Sequence, residues 1–294
     1  MANTLNLSAL PEYVEQNRDQ LFVKSTVGAK TLDYVELMLG VKHKEALNYL
    51  DSEVVLQAAQ CGWNPAGSDT FAQRYIEVNL VEVEKEFCYL DFKEKYMNYQ
   101  LRWEAGRETL PFEEKIANSN VEAIKAAVEE MVWQGNSGAS VTGFLADAAE
   151  ASAATVSFGT GDTTVAKVDA LVAAASARML AKGVNIFMSM TDFRNYVLES
   201  NGTCCANRPI LDAAADEIIY AGDSRIKLIP VLGLEGTGKM VAATPDALVY
   251  GTDIEGSETS YRIWFDEKEQ KYMFRVLFAA GTAIKFVDEV VVGE

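Results

Sequence analysis

The stretch SNVEAIKAAVEEMVWQG, residues 119–135, sets the reading of the whole chain. Val121, Ile124, Val128 and Met131 recur at three- and four-residue spacing, the apolar stripe of a helix with one covered face. Ser119 and Glu122 stand at capping-box spacing, which predicts a start near residue 118. Trp133 closes the stripe and Gly135 ends it. On that register Glu122, Lys125 and Glu129 face away from the core.

Upstream, residues 51–95 have strand character. Ile76, Val78 and Leu80 are apolar at even positions, whereas Val81, Val83, Phe87 and Tyr89 are apolar at odd ones. Strand side chains alternate faces, so the phase changes between Leu80 and Val81, at a bulge or sharp twist. Glu82, Glu84 and Glu86 then share the wet face. Residues 1–50 read as an extended arm carrying short helical pieces. Thr31 caps one in which Leu32, Val35 and Leu39 share a face before Gly40, and a second spans Lys44 to Leu50.

Downstream, Asn136 to Thr164 is a glycine- and alanine-rich loop, and Val165 to Lys182 is helical up to Gly183. Asn185–Met190 and Asp192–Glu199 form one strand-to-helix unit. From Glu217 the chain is mostly strand: Glu217–Tyr220, Arg225–Leu232, Met240–Ala243, Ala247–Tyr250, Tyr261–Phe265, Lys271–Phe278 and Ala283–Val287. Helices and strands are segregated more than alternated, which predicts an α+β fold.

The 294 residues are 49% hydrophobic and 23% charged, an ordinary globular mixture. Acidic residues outnumber basic ones 43 to 26, a formal charge of −17. That balance argues against a general nucleic-acid binder or a polybasic membrane anchor. No signal peptide is visible and no apolar run is long enough to span a bilayer, so a soluble, cytosolically made protein is expected. Cys61, Cys88, Cys204 and Cys205 are too few and irregular for a disulfide framework and are expected to be reduced.

Candidate chemistry is sparse. Gly233–Lys239 fits G-x-x-x-x-G-K, but Met240 stands where the magnesium-binding hydroxyl should be, and Met240–Ala243 is β-like rather than helical. A glycine-rich turn between strands is the better reading. His43 is the only histidine and lies in a basic stretch with no nucleophile elbow, and the cysteines lack zinc-ligand spacing. No catalytic residue, cofactor or metal is expected. What the sequence explains best is packing, long strands and an extended arm, the parts of an assembly protein.

Several local stretches then carry a resemblance: Cys61-Gly62-Trp63 before the long strand, Met131–Gly135, Gly143-Phe144-Leu145, Asn185–Glu199, Ala243–Leu248 and Ala279–Ile284. With the order of elements, these make the chain from about residue 30 onward resemble the major capsid proteins of tailed bacteriophages, the Hong Kong 97-type shell fold. The resemblance implies an N-terminal arm (1–50), an E-loop hairpin (51–95), a P-domain (96–139 and 246–294, holding the spine helix and terminal strands) and an A-domain (140–245). It implies pentamers and hexamers of the chain itself, enclosing double-stranded DNA in an icosahedral virion shell assembled in the host cytoplasm. Portal and scaffolding proteins, and a cementing protein, are the further partners it suggests. As in an E-loop, Ile76, Val78, Val81 and Val83 are expected to be covered by a neighbouring copy, while Val121, Ile124, Val128 and Met131 are expected in the subunit core. An encapsulin-type cargo compartment is the alternative within the same fold, and a nucleotide-binding enzyme using Gly233–Lys239 is the alternative outside it.

Overall fold

A computed structural model describes residues 14–17, 20–21, 24–25, 28–59, 61–62, 66–88, 112–202, 210–212, 217–221, 223–253 and 261–294. In chain order its strands are β1 (Glu36–Leu39), β2 (Lys44–Val54), β3 (Gly67–Glu77), β4 (Asn79–Cys88), β5 (Ala154–Val156), β6 (Val184–Ser189) and β7 (Ile210–Asp212). They continue with β8 (Glu217–Ile219), β9 (Ile226–Val231), β10 (Met240–Ala243), β11 (Leu248–Asp253), β12 (Tyr261–Asp266), β13 (Lys271–Ile284) and β14 (Val290–Gly293). The helices are α1 (Phe112–Gln134), α2 (Phe144–Glu150), α3 (Thr164–Ala174), α4 (Ala177–Lys182) and α5 (Met190–Gly202).

Helix α1 starts at Phe112, so Ser119 lies inside it and caps nothing. Its apolar stripe continues back through the buried Ala117, which is why the helix outruns the capping pattern. It stops at Gly135, whose φ of +81° and contact with the Gly143 backbone N exclude a side chain. One face of α1 packs on a seven-stranded mixed sheet of order β5-β14-β10-β6-β9-β8-β7. The central strand β6 is buried along its whole length because both sheet faces are covered. Phe187 points to the α1 side, 5.0 Å from the Trp133 ring. Val184, Ile186 and Met188 point the other way, into a cluster with Val168 and Leu171 of α3 and Tyr196 of α5.

The second sheet is organised by β13. Along one edge β13 pairs with β4 from Lys271 to Ala280; along the other it pairs first with β12 and then with β11. β1 extends this sheet, running parallel to β11. Where two strands were expected over 271–287 there is one, buried without a break from Phe278 to Ile284.

Several expectations are corrected. Leu32, Val35 and Leu39 do not share a helix: Lys30–Tyr34 is one 3-10 turn, and β1 follows. Lys44–Leu50 belongs to β2, because its partner β3, far along the chain, outweighs a short local periodicity. The 136–164 loop contains α2 and β5, and the 165–182 helix is broken between α3 and α4, where Ser176 caps the second piece. The last strand, β14, leaves the sheet of the other terminal strands and pairs with β10 and β5. The Gly233–Lys239 turn joins β9 to β10, which do not pair but flank β6 on either side.

Candidate assembly surface

β2 and β3 form a two-stranded hairpin in unbroken register from Lys44↔Glu77 to Val54↔Gly67. The hairpin foreseen over 51–95 is thus displaced toward the N-terminus, and β4 belongs to the β13 sheet. Its root is fastened in three ways. Leu47 and Ile76 are buried with Val41, Val78, Val249, Ala279 and Ala283. The Arg74 guanidinium donates to Asp147 of α2 at 2.7 Å, and the other Asp147 oxygen accepts the Ile284 N–H at 2.6 Å. Burial pushes the Asp147 carboxyl up, a shift that the Ile284 N–H and the Arg74 charge partly offset. Finally, Tyr49 meets Phe286 edge-on at 5.5 Å, and Phe286 also lies beneath the ammonium groups of Lys182 and Lys285.

Beyond the root the hairpin projects. Strand alternation puts Ala46, Leu50 and Val54 on the face away from Leu47 and Tyr49, opposite Tyr75, Phe71 and Gly67. On this face Phe71 is 82% exposed, Val54 78%, Tyr75 52% and Leu50 50%, and Leu56 in the connecting loop is 94% exposed. Leu50 and Phe71 are direct cross-strand partners, so they form one contiguous apolar surface.

The four residues assigned to an inter-subunit contact are elsewhere. Ile76, Val78 and Val81 are buried in the subunit's own clusters, and Val83 is packed against the main one. The phase change is the reason. At Val78, whose N–H donates to the His43 carbonyl, the chain leaves the hairpin and crosses onto the β13 sheet. The crossing passes over Gly251 and Gly281, which face each other across β11 and β13. A Cβ on Gly281 would strike the Glu77 carbonyl, and one on Gly251 would sit 2.8 Å from Ile76 Cδ1. Leu80, read with Ile76 and Val78, is left 69% exposed.

Val121, Ile124, Val128 and Met131 lie in the main core cluster. Glu129, expected to face solvent, is buried at 3% exposure. Its carboxylate accepts the Thr31 N–H at 3.2 and 3.3 Å and the Thr31 hydroxyl, while Trp133 Nε1 donates to Thr31 Oγ1 at 2.8 Å. This cluster fixes the 3-10 turn Lys30–Tyr34 against α1. Burial pushes the Glu129 carboxyl up; the Thr31 donors and the Lys30 charge pull it part of the way back. No sequence signal near Glu129 announces this, because Thr31 is 98 residues away.

A second buried carboxylate, Glu289, accepts from Lys182 Nζ at 2.6 and 2.8 Å and from the Thr244 hydroxyl at 2.6 Å. Burial pushes it up, but Lys182, Thr244 and the Arg178 charge outweigh burial and hold it below the ordinary range.

After Lys239 comes strand β10 rather than a helix, so no amide cradle for a phosphate forms there, and Lys239 pairs with Glu294 at 2.7 Å. Among the described residues no group of three or more His, Cys, Asp or Glu could hold a metal ion. No helix among them is long and apolar enough to cross a membrane. Cys61 and Cys88 are exposed free thiols.

No protein-family model and no curated protein matches the sequence. Solved structures do match in fold. A chain of the satellite phage P4 procapsid including its size determination protein is 10% identical, with a TM-score of 0.56, covering 96% of this chain and 98% of that one. The capsid of Myoviridae phage XM1 gives 14% identity and 0.55, covering 90% and 91%. A virus-like particle from Pyrococcus furiosus gives 13% and 0.55, covering 96% and 100%. The chain therefore has, over nearly its whole length, the fold of phage capsid proteins.

Proposed function

We propose that this protein is a major capsid protein of a tailed bacteriophage, of the Hong Kong 97 type, whose copies build an icosahedral shell of pentamers and hexamers around double-stranded DNA. The observation that carries the proposal is the projecting hairpin, whose Leu50, Val54, Phe71 and Tyr75 stay exposed on one face. An isolated two-stranded hairpin is marginal in water, and contiguous exposed apolar surface marks a contact with another molecule. The whole-chain likeness to capsid folds supports the same reading.

In this proposal the arm ends before Lys44 and β2–β3 are the E-loop. Helix α1 with the β13 sheet makes the P-domain, and the seven-stranded sheet with α3, α4 and α5 makes the A-domain. A formal charge of −17 suits a wall that should not grip its genome. Portal, scaffolding and cementing proteins would act on such a shell.

The likeness to the Pyrococcus furiosus virus-like particle favours a second reading, a compartment of the same architecture that encloses protein cargo. Negative-stain images of the purified protein test both. Closed shells are expected, with double-stranded DNA in particles from infected cells. Shells holding protein and no nucleic acid would support the compartment, and a chain that never forms shells would overturn both.

A further inference from the structure

Away from the hairpin, a cleft of about 630 Å³ opens beside the start of β6, a size that suits a small molecule. Its walls come from separate stretches: residues 33–36, the chain entering β6 and β9, and the Pro245-Asp246 turn between β10 and β11. Asn185 borders the cleft and is only 6% exposed, yet its side-chain amide makes no hydrogen bond among the described residues. Strand alternation puts it on the face of Phe187, with Lys227 of β9 and Ala243 of β10 as its register partners. Ala243 has no polar side-chain atom. The Lys227 ammonium is engaged by Glu217 at 2.8 Å, and Glu217 also accepts from the Tyr34 hydroxyl at 3.0 Å. A buried amide left unpaired costs stability, and the cleft is where a partner can reach this one.

The charges around Asn185 are unequally engaged. Lys182, Arg225 and Lys227 pair with Glu289, Asp223 and Glu217 at 2.6, 2.7 and 2.8 Å, and Glu36 pairs with Lys285 at 3.0 Å. Asp33 and Asp246, both exposed, pair with no cation among the described residues. What the cleft has left to offer is therefore two carboxylates and an amide, on a chain whose formal charge of −17 already draws cations. Among the described residues no three acidic, thiol or imidazole groups converge as a metal ion requires. The complement is an extended cation rather than a compact one.

We propose that this cleft binds an aliphatic polyamine. Ammonium groups of the ligand pair with Asp33 and Asp246, and one of them also donates to the Asn185 carbonyl oxygen. A ligand held in this way ties the segment after the Lys30–Tyr34 turn to the β10–β11 turn. The inference stands apart from the shell reading, and neither needs the other.

Isothermal titration of the purified full chain with spermidine tests it, with butylamine and inorganic phosphate as controls and circular dichroism as the check on folding. One spermidine per chain is expected, and butylamine, which can reach only one carboxylate, should bind about tenfold more weakly or worse. Asp33→Asn and Asp246→Asn, both at exposed positions, should each weaken spermidine by about tenfold. Asn185→Leu fills the same space with no hydrogen bond to lose. It should weaken spermidine comparably while the ligand-free chain melts no earlier than wild type, a combination that a merely structural asparagine would not give. Absence of spermidine binding, equal affinity in all the variants, or many weak sites per chain would overturn the proposal. One-to-one binding of phosphate in place of spermidine would overturn it too, since the cations of the cleft would then be the groups left to engage.

Discussion

Helix α1 and the β2–β3 hairpin both carry apolar residues at regular spacing, yet they dispose of them oppositely. Helix α1 buries Val121, Ile124, Val128 and Met131 inside its own subunit. The hairpin buries Leu47 and Ile76 at its root and leaves Leu50, Val54 and Phe71 outside. Spacing identifies a face; it does not say which molecule covers that face. The helix has two walls within reach, a sheet and the Lys30–Tyr34 turn, whereas among the described residues the outer face of the hairpin stays exposed.

Substitutions that remove the same kind of side chain from each region sharpen this contrast. Trp133 is fully buried between Phe144 and Phe187, so Trp133→Ala should cost about 3–5 kcal/mol in urea unfolding. Phe71→Ala, of similar chemistry on an 82% exposed residue, should stay within about 0.5 kcal/mol. Equal losses would mean that the tip is part of the subunit core.

The crossing between the two regions is the next place to probe. Gly281→Ala forces a Cβ against the Glu77 carbonyl and should destabilise by about 1–3 kcal/mol. Hydrogen exchange should rise first at Glu77 to Asn79 rather than along α1. Uniform exchange would show that the crossing is not where the strain falls.

The two buried carboxylates should respond to pH in opposite directions. Glu129 is raised above the ordinary value of 4.5 by burial, so the folded state holds its proton more tightly than the unfolded chain. Its contribution is greatest in acid and falls as pH rises from 4.5 through the folded value. Glu289 is lowered, its Lys182 and Thr244 bonds outweighing burial, so its contribution is present above 4.5 and lost as pH falls through the folded value. Urea midpoints followed with pH should lose the first slope in Glu129→Gln and the second in Glu289→Gln. A variant that keeps the slope assigned to it would refute that assignment.

The smallest effect is expected at Lys125, a half-buried lysine beside Gly28 that pairs with the exposed Glu122 at 2.9 Å. Lys125→Ala should change stability by no more than about 0.5 kcal/mol.

The sequence made α1, β10 and the β12–β13 hairpin legible because their patterns are local: one stripe, one run, one alternation around a turn. It misled at Leu32–Leu39, where a spacing of three and four residues arose from a 3-10 turn running into a strand. β2 was hidden because its partner lies across a long connection, and a short segment gives no periodicity strong enough to decide. Glu129 was illegible for a different reason: its burial depends on Thr31, brought beside it only by the fold. The candidate surface was half legible. The phase change near Leu80 was visible, but it marks the passage from hairpin to sheet, so Ile76, Val78 and Val81 beside it are enclosed and only Leu80 is left exposed. The exposed ones, Leu50 and Phe71, lie farther along the hairpin and look like any strand pair.

The central claim is that the hairpin's apolar face is completed by another copy and contributes nothing to the subunit's own core. Its most direct test is Leu50→Ser combined with Phe71→Ser, followed by thermal melting of the dissociated subunit and by sedimentation velocity under assembly conditions. The account predicts a subunit that melts like wild type and no longer sediments as closed shells. A subunit that melts far earlier, or one that still builds shells, would contradict it.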